Sequence, residues 1–152
     1  MLHAGDVING AEGKATANLN GQVVDLFYLK NLEATFEKVK TEVRVLGSRA
    51  VHHKAGGWSG SGSFDLYYMS PVFRKLALDY AKTGKDLYFT ITVVNEDPGS
   101  TVGRQTTALY QCNLDNTILA KLDAETEALD ESIDFTFEDF DFIDQFGNPI
   151  SQ

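Results

Sequence analysis

A ten-residue run near the carboxyl end, Ile133 to Phe142, constrains the fold of this chain more than any other feature. It carries four phenylalanines in eight residues, with polar or acidic residues between most of them. An acidic tail stays disordered when it lacks aromatic residues, whereas this run has an apolar face to bury. We therefore predict a strand with one buried face and one wet, negatively charged face, the latter formed by Asp134, Glu138, Asp139 and Asp141.

The charge of the chain is concentrated in the same region. Residues 115 to 152 hold 11 of the 22 acidic residues and a single base, Lys121, so this segment has a net charge of −10, against −9 for the whole chain. Residues 1 to 114 are left at +1. Because clusters of Lys and Arg drive phosphate binding, this balance argues against nucleic acid as a tightly bound ligand. It remains compatible with DNA that passes the protein without binding to it.

Size and cysteine content indicate one domain in a reducing compartment. A chain of 152 residues that is 43% hydrophobic suits a single domain over residues 1–152. Its one cysteine, Cys112, excludes an intrachain disulfide, which favours a reducing cytoplasm over a secreted fold that never used cysteine. The start lacks the basic and apolar regions of a signal peptide, and no stretch approaches the roughly 20 apolar residues of a membrane span. We expect the protein in the cytoplasm until lysis releases it.

Apolar and polar residues alternate along most of the chain, which predicts antiparallel strands. Asn20-Gly21 predicts a tight hairpin turn, and further strands are expected from Leu26 to Val45 and over residues 86–94, 106–114, 117–124 and 133–142. Ser70-Pro71 has the residues that begin a helix, and an apolar stripe at helical spacing predicts one over 71–83. The fold class is therefore mainly β with one α-helix.

Residues 47 to 63 interrupt the alternation with five glycines and four serines, and basic and histidine residues lie among them. This pattern predicts a long, flexible and mildly basic excursion. If residues 40–63 form a hairpin arm, limbs of about 11 residues reach about 35 Å. Loops this long in a compact domain are functional or disordered. Trp58, an aromatic residue among small ones, is predicted to be a contact anchor.

Sequence signals for catalysis and metal binding are incomplete. His52 and His53 are neighbours, so a strand would point them to opposite faces, and no Cys, Asp or Glu follows at ligand spacing. Residues 57–61 lack the last glycine of a nucleophile elbow. Asp139-Phe140-Asp141 begins like a calcium loop, but Ile143 stands where the third oxygen ligand is needed. We therefore predict no enzymatic activity, no metal and no cofactor.

Four segments carry a family resemblance: GAEGKATANLNG (10–21), LEATFEKVKTEVRVLGSRAVHHKAGGWSGSGSF (32–64), KTGKDLYFTI (82–91) and LDAETEALDESIDFTFEDFD (122–141). With them the chain resembles, over nearly its whole length, the tail tube proteins of contractile phage tails and phage-tail-like particles, of the XkdM type found in PBSX-like prophages. The glycine-rich arm and the Phe-Thr-Phe-Glu-Asp-Phe-Asp run are the most specific portions. No single short motif would suffice.

The resemblance implies an antiparallel β-sandwich or half-open barrel with one flanking helix. It also implies hexameric rings that stack into a hollow tube inside a sheath, in a phage, a prophage particle or an R-type bacteriocin. The implied partners are other copies of the chain, the tail sheath protein, and baseplate and tail terminator proteins, with DNA at most passing through the lumen. The loop that reaches an adjacent ring maps onto the arm, with Arg49, Val51, His52, His53, Lys54 and Trp58 as contact residues.

The acidic residues have two possible destinations in such a tube. We expect the stretch Glu125, Glu127, Asp130 and Glu131 to face the sheath, because connections lie on the outside of a closed barrel. For the C-terminal strand, the lumen and the outer wall both remain open. The alternative function is a monomeric β-sandwich binding module, for example a carbohydrate-binding domain, which would leave the arm unexplained.

Overall fold

The computed structural model describes residues 13–19, 21–26, 29–67, 72–96, 98, 103–117, 119–120, 122, 124–125 and 129–144. Within them the chain forms eight strands and one helix. In order they are β1 (Gly13–Leu19), β2 (Gln22–Asp25), β3 (Leu29–Val43), β4 (His52–Tyr67), α1 (Val72–Thr83), β5 (Phe89–Glu96), β6 (Arg104–Leu114), β7 (Asp130–Phe137) and β8 (Asp139–Asp144). The predicted class, mainly β with one helix, is confirmed, and the helix occupies the predicted place.

Antiparallel pairing joins all strands in the order β2-β1-β5-β6-β7-β4-β3, and β8 also pairs with β6. The sheet folds into two layers: β2, β1, β5, β6 and β8 form one, and β3, β4 and β7 form the other. The layers are joined where the end of β6 pairs with β7, at Asn113 and Leu114. The result is the half-open antiparallel sandwich that the resemblance implied.

The core lies between the layers and follows the alternation of the strands. On β7, every second side chain is buried. Helix α1 closes one end, because the Phe73 ring lies 5.2 Å from that of Phe64 and 6.2 Å from that of Phe89. The other large buried apolar side chains of the described residues are Leu19, Leu26, Leu66, Ile91, Leu109, Ile133, Phe135 and Phe137.

The predicted strand over residues 117–124 is wrong. Residues 117, 119, 120, 122 and 124 have no strand structure, and Leu122 is 97% exposed. Asn116 gives the reason: its side-chain Oδ1 accepts the backbone N–H of Asp134, 3.2 Å away, and its Nδ2 donates to the Asp134 carboxylate at 2.8 Å. A side chain thus takes the donor that a continuing strand would have used.

The predicted C-terminal strand forms, with a bend at Glu138 that separates β7 from β8. The register along β6 continues across the bend, since Leu114 pairs with Phe135 and Tyr110 with Asp139. Opposite the bend, Gln111 has a positive φ of 54°. The phenylalanine spacing changes here from two residues to three, so the bend moves the next rings, Phe140 and Phe142, toward the space between the layers.

Candidate assembly surfaces

The hairpin of β3 and β4 is the feature that a compact domain does not need. The two strands pair from Leu29 opposite Leu66 to Val43 opposite His52. Strand β4 meets β7 only from Gly60 to Tyr67. Residues 37–59 therefore extend past the body as a two-stranded ribbon, which we call the arm. It begins three residues before and ends four residues before the predicted range of 40–63, whose last four residues pair with β7 in the body. It is a regular hairpin instead of the irregular excursion that its glycines indicated.

The glycines of β4 make room for aromatic rings of the neighbouring strand. A Cβ atom on Gly60 would lie 2.4 Å from the Phe137 ring, and one on Gly62 would lie 2.5 Å from the Phe135 ring. Gly57, with φ of 140°, follows a register shift between Val39 and Lys40 that marks a β-bulge. Glycine content here reflects packing and a bulge in a paired strand.

The predicted contact residues occupy two different parts of the arm. Arg49 lies in the exposed tip, Val51 adjoins it, and His52, His53 and Lys54 begin β4, all exposed. His53 pairs with Glu42 and His52 with Val43, so the two histidines lie on opposite faces. The arm carries five Lys or Arg residues and two Glu. Its outer half, residues 41–54, carries Arg44, Arg49 and Lys54 against Glu42, so it is a basic surface with the fully exposed Leu46 at its end.

Trp58 lies at the base of the arm in a cluster of aromatic rings. Its ring centroid is 5.2 Å from that of Phe36, 5.5 Å from Phe140 and 6.1 Å from Phe137. Phe142 extends the cluster, 5.8 Å from Phe140. Edge-on and tilted rings at these separations attract each other. The cluster fixes the base of the arm against β8, where the two layers separate.

The outward face of β3, β4 and β7 is polar and lined by hydroxyl groups. Cross-strand pairing places Glu33, Ser63 and Asp134 in one row. The next row consists of Thr35, Ser61 and Thr136. We call these two rows the hydroxyl face. Its charged members are both acidic.

The acidic stretch that was predicted to face the sheath is only partly a surface. Glu131 is a correction: it is 1% exposed and forms an ion pair with Arg74 of α1. Every second residue of β7 is buried, and Glu131 belongs to this buried set because it lies two residues before Ile133. Asp130 accepts a hydrogen bond from Lys30 Nζ at 2.8 Å, and this bond raises the pKa of Lys30. Glu125 is exposed, and Glu127 lies outside the described residues.

Two other titratable groups are shifted by their surroundings. Hydrogen bonds from Ser132 and Asn31 lower the pKa of Asp65. Burial raises the pKa of the Cys112 thiol to about 12, so the thiol stays protonated and is a poor nucleophile. In the part of the chain that the structure describes, no group of three or more His, Cys, Asp or Glu side chains could hold a metal. The helix found there is too short and too polar to cross a membrane.

This architecture is the fold of tail tube proteins. It matches the tail tube of SPP1 with a TM-score of 0.64, 12% identity and coverage of 90% of this chain and 78% of that chain. It also matches a chain of an extracellular contractile injection system, in its PVC sheath-tube complex, with a TM-score of 0.61, 10% identity and coverage of 85% and 87%.

The sequence assigns the family. The model described as "Phage tail tube protein" matches residues 1–144, and the chain belongs to this family. It is 40% identical over 140 residues to the "Phage-like element PBSX protein XkdM" of Bacillus subtilis (strain 168), covering 92% of each chain. The protein is thus a tail tube subunit, a structural component of a phage or phage-like particle.

Two features of these surfaces had no clear signal in the sequence. The first is the ion pair of Glu131, because its partner Arg74 lies on a helix 57 residues away in the sequence. The aromatic cluster joins Phe36, Trp58 and Phe140 from three strands. Only the tertiary fold brings them together.

Proposed function

We propose that this tail tube subunit forms hexameric rings, which stack into the hollow inner tube of a contractile tail in a phage, a prophage particle or an R-type bacteriocin. The arm is the observation that carries this proposal. Beyond the Trp58 cluster it exposes apolar side chains, Leu46 above all, which are not part of the described hydrophobic core. A heterologous contact that is repeated along an axis without closing produces a filament.

Within this tube, the arm makes the contact between rings. Arg49, Val51, His52, His53 and Lys54 lie in its exposed outer half and are available to a subunit of the next ring. Trp58 has the different role of anchoring the arm at its base, because its ring packs against Phe36 and Phe140. Burial of the apolar tip between rings offsets the loss of conformational freedom there.

The hydroxyl face is our candidate for the lumen wall. In the part of the chain that is described, β3 pairs with β4 on one side alone, so its other edge is open to a neighbouring subunit. Pairing across that edge would close the edge and carry the hydroxyl face around the ring. Glu33 and Asp134 would give the wall negative charge, which repels DNA phosphates and lets DNA pass without binding.

The remaining partners would meet the outside and the ends of the tube. The tail sheath protein would surround it, with Glu125 and Asp130 as contacts, and baseplate and tail terminator proteins would bind its ends. Assembly would take place in the bacterial cytoplasm, before release with the particle. The subunit would act without enzymatic activity. The match to a family of structural tail proteins supports this.

Electron microscopy of the purified protein, together with its mass in solution, tests the proposal. We expect six-membered rings and, at higher concentration or with an added baseplate initiator, tubes of constant diameter. A monomer under all these conditions would support the alternative, a monomeric binding module. Rings of a different order would disprove the hexamer and keep the tube.

A further inference from the structure

Two aspartate side chains of β8 accept hydrogen bonds from backbone N–H groups of the same strand. The N–H groups of Phe140 and Phe142 donate to Oδ1 of Asp139 and Asp141, each over 2.8 Å. The two amides are two residues apart, so they point toward the same edge of the strand. Carboxylates bound to the adjacent amide take the place of a neighbouring strand's carbonyl groups. Among the described strands, β6 is the one that pairs with β8.

This self-capped edge is both apolar and acidic. Phe142 is 42% exposed and Ile143 is 62% exposed. Three of the six residues of β8 are aspartates, and none is basic. An edge of this kind fits a partner strand with apolar and basic side chains.

The outer half of the arm has that composition. Leu46 and Val45 are exposed at the tip, and Arg44, Arg49 and Lys54 surround them. The base of the arm touches β8 of the same chain through Trp58, but the tip cannot reach it. Phe36, whose ring is 5.8 Å from Phe140, lies seven residues before Val43, so the tip is about 23 Å farther along the ribbon. The match therefore requires two copies of the chain.

We propose that these two amides lie at the edge of β8 that faces away from β6, and that the outer half of the arm of one copy docks along this edge in a second copy, where its basic side chains pair with Asp139 and Asp141. This inference rests on the proposed stacking through the arm and names the surface that receives it. As the aspartates turn to the basic side chains, the amides of Phe140 and Phe142 become free to bond the incoming backbone. In an isolated subunit, the same aspartates keep the edge from pairing at random.

Charge exchange between the two surfaces tests the contact. One variant carries Arg49→Glu and Lys54→Glu, a second carries Asp139→Lys and Asp141→Lys, and a third carries all four changes. We expect each of the first two to reduce the sedimentable tube about tenfold or more, and the third to recover most of it. The matched control is Asp79→Lys with Asp86→Lys. Asp86 also accepts the next amide, that of Leu87, but lies outside β8.

The outcomes separate this inference from the proposed function. Loss with the arm variant and normal tubes with the β8 variant would keep stacking through the arm and overturn β8 as its receptor. Loss with both and no recovery in the fourfold variant would also overturn the direct pairing. Normal tubes from both variants would contradict stacking through the arm itself.

A second measurement does not depend on how the charge variants fold. Cysteines at Leu46 and Ile143 in one chain are too far apart to react with each other, and the native Cys112 is buried. In assembled tubes, a short bifunctional thiol reagent should link successive copies into a ladder of covalent oligomers. Leu46→Cys alone is the control and should give no ladder. If the double-cysteine tubes also give none, β8 is not the docking surface.

Discussion

At two positions of β4, aromatic rings of the neighbouring strand β7 leave room only for glycine. Gly60 and Gly62 are extended strand residues that face Phe137 and Phe135. In a sequence, such glycines resemble those of a flexible loop, because their local neighbours are glycine and serine. Their partners lie more than 70 residues away in the chain. The residue type is therefore determined by a packing contact that local pattern cannot show.

Gly60→Ala should destabilise the subunit, because its methyl group would enter the space of the Phe137 ring. We expect a loss of about 1–3 kcal/mol in the free energy of unfolding, measured with urea. Gly56→Ala is the matched control, since its Cβ meets Thr41 Oγ1 at 3.4 Å and Val39 O at 3.7 Å. Equal losses in the two variants would contradict the packing role of Gly60.

The ion pair of Arg74 and Glu131 offers a second test at this scale. Arg74→Met leaves a buried carboxylate without its guanidinium and should cost about 3 kcal/mol. Adding Glu131→Leu removes the charge as well and should recover most of that loss. A double-mutant cycle measured by thermal unfolding gives the coupling. Equal stability of Arg74→Met and the double variant would show that the buried carboxylate is not what destabilises Arg74→Met.

Asp65 predicts a small dependence of stability on pH. Its pKa is lowered from 3.8, first by Ser132 and then by Asn31, so the folded state favours the ionised carboxylate. The resulting stabilisation is fully present above pH 3.8 and is lost as the pH falls through the lower pKa of the folded state. The stability difference between the native chain and Asp65→Asn should shrink over that range. A difference that grows with acid would contradict the assignment.

At the scale of elements, the alternation of apolar and polar residues predicted the strands correctly where one face of a strand is buried. It predicted the run from Ile133 to Phe142, because each phenylalanine there meets the core or the aromatic cluster. It failed for residues 117–124, where Leu122 alternates with polar residues but meets nothing. The position of the arm was predicted approximately, but its regular hairpin structure was not. The glycines that suggested a flexible loop include Gly60 and Gly62, which leave room for aromatic rings of β7. The hydroxyl face was missed because pairing across three strands creates it.

Shortening the arm should separate folding from assembly. Replacing residues 39–57 with Asn-Gly would join Lys38 and Trp58, which are already opposite each other, through a two-residue hairpin turn. We expect an unchanged circular dichroism spectrum and a similar melting temperature, because the body and the aromatic cluster remain. Tubes should be absent under the microscope. Tubes of normal length from this variant would show that the arm is dispensable for stacking.

At the scale of the whole molecule, the two outward surfaces should differ in access once a tube has formed. Thr136→Cys on the hydroxyl face should react with a bulky maleimide in free subunits and be protected in intact tubes. Asp79→Cys on α1 should react in both states, since it would lie on the outer wall. Mass spectrometry of labelled protein gives the ratio. If intact tubes protect Asp79→Cys from the maleimide and leave Thr136→Cys reactive, the hydroxyl face lies on the outer wall of the tube.

The bend at Glu138 has a mechanical consequence for a tube subunit under load. One continuous backbone runs along β7 in one layer and along β8 in the other, on either side of this bend. In a tube that stacks through the arm, as proposed above, an axial load would enter the body at Gly60, beside Phe137, at the same junction. Sliding of one layer over the other would have to stretch covalent bonds as well as part side chains. Under compression, the subunit should therefore respond as a single stiff block.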